Sequence, residues 1–139
     1  MREQGWNAVK RLVYDRAQGY YEYCQTCEAN LGQAMHVEHI DPAGGDTPEN
    51  LCLACSNCNL FKSHQTHGTD PVTGRRVRLF NPRQQRWRRH FRWSQDGVFI
   101  IGHTTTGRAT VVALHLNNMV AVTVRRNWVA AGWHPPTEL

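Results

Sequence analysis

The sequence predicts a single α+β domain in which short strands and helices gather around a bound metal ion. Three observations carry that expectation. Two Cys-x-x-Cys pairs, Cys24/Cys27 and Cys55/Cys58, are separated by residues 28–54. Between them a strand-like stretch runs into a loop of proline and paired glycines and then a helical stretch. The chain is 139 residues long, enough for one hydrophobic core and too short for two unrelated domains.

Taken in order, Trp6, Val9, Val13 and Ala17 recur at helical spacing with Lys10, Arg11 and Arg16 between them, which predicts an amphipathic helix over residues 6–17, stopped by Gly19. Residues 20–27 read as an extended segment and a metal knuckle. Residues 35–40 alternate apolar and polar side chains as a strand does. The run Asp41-Pro42-Ala43-Gly44-Gly45-Asp46 is a loop. A helical region is expected from Pro48 through Asn50 and Cys55, continuing over residues 57–64. Residues 77–80 form a further expected strand, and Pro82, capped by Asn81, opens an expected helix bearing arginines. A strand over residues 98–102, a helix over 107–116 capped by Thr106 and a last helix over about 120–131 complete the chain.

The charge is unevenly spread. Residues 21–70 hold seven acids and the single base Lys62, whereas residues 71–139 hold eleven bases and two acids. Arg75, Arg76, Arg78, Arg83, Arg86, Arg88, Arg89 and Arg92 fall in one acid-free stretch interleaved with Trp87, Phe91 and Trp93. Arginine offers phosphate a planar fork of donors, so this stretch suits a nucleic-acid backbone, against the plainer alternative of a solvated basic face. Helical spacing groups Arg86 with Arg89 and sets both apart from Arg88. The longest apolar runs, residues 111–114 and 119–122, fall far short of the roughly 20 residues a membrane span needs. Met1 leads into Arg2-Glu3-Gln4 rather than an apolar signal core. The expectation is a cytoplasmic chain with reduced cysteines.

Two residues between ligands let both sulfurs of a knuckle reach one ion, and four thiolates close a tetrahedral shell that suits zinc and leaves no position for a substrate. Cys24, Cys27, Cys55 and Cys58 are therefore read as structural zinc ligands; small buried thiols or a redox pair are the alternatives. Cys52, between Leu51 and Leu53, is expected to be a buried thiol outside the site.

Between and after the knuckles stand Glu38-His39-Ile40, Gly44-Gly45, Asn50-Leu51 and Cys55-Ser56-Asn57-Cys58-Asn59 followed by Lys62. In order and spacing these resemble the zinc-containing HNH endonucleases over about residues 21–64. Asp70-Pro71-Val72-Thr73-Gly74, Leu79-Phe80-Asn81-Pro82-Arg83, His90-Phe91-Arg92-Trp93 and Gly132-Trp133-His134-Pro135-Pro136 are similar to the C-terminal extension of a bacterial branch of that family. Three positions depart from the pattern. Glu38 stands for the more usual aspartate and Asn59 for a histidine. Tyr21 stands where relatives often have a cysteine, which assigns the first pair to Cys24 and Cys27.

The resemblance implies a ββα-metal core with a four-cysteine zinc knuckle and a basic α/β C-terminal extension. Residues 1–139 then form one nuclease domain, with the core at about 21–66 and the extension at about 70–139. It also implies metal-dependent hydrolysis of DNA phosphodiesters by nicking or double-strand cleavage, with RNA as the other substrate to consider and a monomer or homodimer as the acting form. His39 is the expected general base, since a neutral imidazole titrates near working pH. Glu38 and the Asn59 amide oxygen are the expected ligands of a catalytic Mg2+ or Mn2+. Asn50 braces the loop that orients His39, Lys62 neutralises phosphate charge, and Arg83, Arg86, Arg89 and Arg92 hold the nucleic-acid backbone. Glu38 and His39 are neighbours on a strand and point to opposite faces unless the strand ends there.

Two rivals remain. A zinc deaminase would use His36-x-Glu38 with the later Cys55-x-x-Cys58, but Ala54 occupies the place of the expected proline and Cys24 and Cys27 go unexplained. A zinc-stabilised DNA-binding module would hold backbone and cut nothing.

Overall fold

The computed structural model describes residues 3–31 and 36–136. Helix α1 (Glu3–Ala17) buries Val13 and packs Trp6, Val9 and Ala17 against the core. It stops where Gln18 and Gly19 turn to left-handed backbone, with φ of 54° and 84°. The chain then makes a tight hairpin, with Tyr20 bridged to Cys27 and the Tyr21 amide bonded to the Thr26 carbonyl at 2.9 Å, before the short helix α2 (Glu28–Leu31).

Strand β1 (His36–His39) pairs antiparallel with β2 (Leu51–Ala54), His36 opposite Ala54 and Glu38 opposite Cys52. The helical region expected from Pro48 is corrected here. A single 3-10 turn over Pro48–Asn50 leads into β2, and the helix, α3, begins only at Ser56 and ends at Lys62. All four residues of β2 are buried. A strand covered on both faces shows no alternation, so Leu51-Cys52-Leu53-Ala54 has no strand signature in its sequence. Arg16 of α1 donates to the carbonyls of Pro48 and Leu51, which ties the first helix to the start of this strand.

In the basic extension, β3 (His67–Thr69) pairs with β4 (Arg76–Arg78), and β5 (Phe91–Trp93) pairs with β6 (Ile100–Gly102). The arginine helix expected from Pro82 is corrected too. Asn81 caps only a turn, its Oδ1 accepting from the Arg83 amide, and α4 is the four-residue segment Trp87–His90. The chain cannot run straight there because Trp87 is buried, with its Nε1 donating to the Tyr23 carbonyl at 2.7 Å. Helix α5 (Thr105–Ala113) is capped by the Thr104 hydroxyl rather than by Thr106, and α6 (Met119–Ala130) by Asn118. Gly107 is required where α5 passes the start of β5, since a Cβ there would meet the His90 carbonyl oxygen at 2.1 Å.

One apolar cluster joins both parts of the chain. Val13, Tyr23, Leu51 and Leu53 pack with Phe80, Trp87, Phe91, Ile100 and Leu116. Among the described residues, no helix is long and apolar enough to cross a membrane.

Candidate metal centre and histidine site

The sulfurs of Cys24, Cys55 and Cys58 lie within 4.8 Å of one another, Cys24 to Cys55 at 3.9 Å. All five cysteines are free, and Cys52 is buried in β2 apart from this group, as expected. The two ends come from the hairpin tip and from the start of α3, where the Cys55 sulfur accepts from the Cys58 amide at 3.4 Å. Each sulfur works against the next: Cys24 is held below the usual thiol range by hydrogen bonds from the other two, while Cys58 is pushed well above it and Cys55 up to about 12. Ionised sulfurs this close repel one another, and a cation between them offsets that repulsion. This donor set fits a soft divalent ion such as zinc, whose charge removes the conflict.

Cys27, the fourth cysteine of the expected set, lies outside this group of three sulfurs. Gln25, the residue after Cys24, takes a left-handed φ of 55°, and its amide closes the turn onto the Tyr21 carbonyl at 2.8 Å. The tight turn therefore spans residues 21–24. Cys27 sits beyond it on the returning arm, and the turn's other ligand position is filled by Tyr21, which is 1% exposed.

His39 closes β1 with its ring 40% exposed and its Nε2 2.6 Å from Oδ1 of Asp46. The intervening loop is built around Asn50. Its Oδ1 accepts from the Asp41 amide at 2.9 Å, and its Nδ2 donates to the carbonyls of Asp41 and Gly45 at 2.8 and 2.9 Å. Gly44 packs so closely on this side chain that a Cβ would stand 2.7 Å from it. A strand end, a glycine loop cross-braced by one asparagine and a helix opened by a Cys-x-x-Cys pair thus follow one another across one short segment.

Residues 24–65 match the HNH endonuclease family model. No curated protein and no solved structure matches the chain. In the matched segment, Glu38 and His39 lie on opposite faces of β1, Glu38 6% exposed and turned inward. Neither Glu38 oxygen has a hydrogen-bond partner, and burial raises its carboxyl to about 7 against the pull of Lys62, whose Nζ is 3.8 Å away. Lys62 is 1% exposed and also donates to the His39 carbonyl at 3.2 Å. Asn59 is half-buried one turn before Lys62 on the same side of α3. His36 is bound to Ser56 and His67 to Thr66, both side chain to side chain.

Of the four arginines expected at a nucleic-acid backbone, Arg86, Arg89 and Arg92 are exposed. Arg83 is paired with Glu22, and that carboxylate also accepts from the Leu53 amide at 2.8 Å. Sequence reasoning missed Asp46, whose only signal is a carboxylate ending the glycine loop. It also missed Arg125, 2% exposed and lining the same cavity as the three cysteines.

Proposed function

We propose that the protein is a metal-dependent HNH endonuclease that hydrolyses phosphodiester bonds in DNA, built on a ββα-metal core of β1, β2 and α3 within one domain over residues 1–139. The observation that carries the reading is His39, solvent-accessible at the end of β1 and paired with Asp46, inside the segment that matches the family.

Asp46 accepts from Nε2–H, which leaves Nδ1 as the free lone pair, and the neutral ring takes the proton of an attacking water there. Asn50 fixes the loop between the two and so keeps the ring in place. Glu38 and the Asn59 amide oxygen would hold a hard divalent ion, Mg2+ or Mn2+, which when bound stabilises charge on the phosphate and the leaving oxygen. The Glu38 oxygens accept no hydrogen bond, which leaves lone pairs for such an ion beside the Lys62 charge. The cysteine group would hold zinc as part of the fold. Arg86, Arg89 and Arg92 would grip the backbone without reading bases. Free thiols suit a reducing, cytoplasmic setting.

A second reading, a zinc-stabilised module that binds DNA without cutting it, is favoured by the inward aim of Glu38 onto Lys62. Supercoiled plasmid separates the two when incubated with the protein and Mg2+, Mn2+ or EDTA. Nicked circles that need a divalent ion support the nuclease. Plasmid that is bound yet stays supercoiled under every ion sinks it.

A further inference from the structure

The cysteine cluster opens onto a cavity of about 90 Å3 whose far wall belongs to the C-terminal extension: Leu114, Leu116, Val124, Trp128 and Arg125. Arg125 is a fully buried guanidinium, and among the described residues it forms no ion pair with a carboxylate. Its Nη1 donates to the Val98 carbonyl and to Oδ1 of Asn117, both at 3.1 Å, and its Nη2 to the Leu116 carbonyl at 2.6 Å. Its flat face lies 5.5 Å from the Trp93 ring. Those partners satisfy donors but supply no charge. A guanidinium stays protonated when buried, and a buried charge without a counter-charge is costly.

Cys24, Cys55 and Cys58 line the same cavity and would supply the counter-charge with a divalent ion bound. Three thiolates and a neutral donor on a divalent ion would leave one net negative charge in a pocket with apolar sides, and Arg125 carries one positive charge. A fourth thiolate would leave the pair unbalanced, and Cys27 is not in the group. Tyr21 is buried at the start of the turn that carries Cys24.

We propose that the metal centre is a three-thiolate site of Cys24, Cys55 and Cys58 balanced by Arg125 of α6, so that metal uptake clamps the C-terminal extension onto the HNH core. Arg125 is a positioning residue, acting on the ion through the field it places across the cavity. The inference rests on the cysteine group holding a metal and is independent of catalysis.

The test loads the full chain with Co2+, whose thiolate-to-metal absorption grows with each sulfur bound. Replacing Cys24, Cys55 or Cys58 by serine is expected to weaken that band, and Cys27→Ser to leave both band and stoichiometry unchanged. A Cys27→Ser band reduced as far as that of Cys24→Ser overturns the ligand set. Arg125→Met should weaken Zn2+ binding about 10- to 100-fold, as loss of an outer partner does, with Arg125→Lys recovering part of it; equal affinity in wild type and Arg125→Met overturns the charge balance. If Arg125→Met does not fold, wild-type amide exchange over residues 119–130 carries the test. Chelation is expected to speed exchange there, and unchanged exchange overturns the clamp. A wild-type chain that takes up no metal defeats the metal reading itself, an outcome distinct from metal bound through Cys27.

Discussion

The Nε2 of His39 stands 2.6 Å from Oδ1 of Asp46, across a loop cross-braced by Asn50. The pairing gives one imidazole nitrogen to a carboxylate and leaves the other for chemistry. Asp46→Asn should therefore lower the nicking rate by about 10- to 100-fold, at or below the contribution of a positioned base. DNA affinity and thermal midpoint should stay close to wild type. A rate equal to wild type would leave Asp46 with no part in the chemistry.

Lys62 and Glu38 form a buried pair at 3.8 Å, with the lysine also bound to the His39 carbonyl. Lys62→Met leaves Glu38 without its partner and should cost about 3 kcal/mol of stability, whereas changing both residues together, Lys62→Met with Glu38→Leu, should recover most of it. Urea unfolding of the single and double variants checks this. A double variant no more stable than Lys62→Met would contradict the pairing.

Asp70 receives two hydrogen bonds from Arg108, at 2.8 and 2.9 Å, which hold its carboxyl well below the ordinary aspartate value of 3.8. A carboxyl depressed in the folded state contributes stability that is complete above the unfolded value and is lost as pH falls through the lower folded one. Thermal midpoints measured from pH 5 downward should fall less steeply below 3.8 in Asp70→Asn than in wild type. Equal slopes would show that the Arg108 clasp does not govern the acid limb.

Arg86 stands just before the short helix α4 and Arg89 lies one turn on, both exposed. Replacing both with alanine should weaken binding about equally for all DNA sequences. It should also flatten the logarithmic salt dependence by about 0.9 for each phosphate that the variant no longer neutralises. Affinity for a short duplex at several salt concentrations reads this out, and an unchanged slope would make the run a solvated face.

Legibility followed the physics of each element. Helix α1 was readable because its apolar positions recur on one face, and the loop over residues 41–46 because proline and glycine allow little else. Strand β2 was not, because a strand buried on both faces carries no alternation. The arginine helix failed because local capping at Asn81 was overridden by the burial of Trp87. At the site, three sulfurs came together as spacing suggested, but Cys27 did not, since the turn register depends on the left-handed residue Gln25 rather than on the count between cysteines. Burial of Lys62 and Arg83 was equally out of reach, because a sequence shows a charge and not the partner that encloses it. Nothing in the sequence around Arg125 signals that its guanidinium is enclosed by the Val98 and Leu116 carbonyls and Asn117.

The central claim is that His39 is the base of a metal-dependent nuclease. The most direct measurement is the single-turnover nicking rate of His39→Ala on supercoiled plasmid with saturating Mg2+, taken alongside its affinity for the same DNA. Nicking is expected to fall by about 10²-fold or more with affinity and fold retained. A His39→Ala variant that nicks at close to the wild-type rate would contradict the claim.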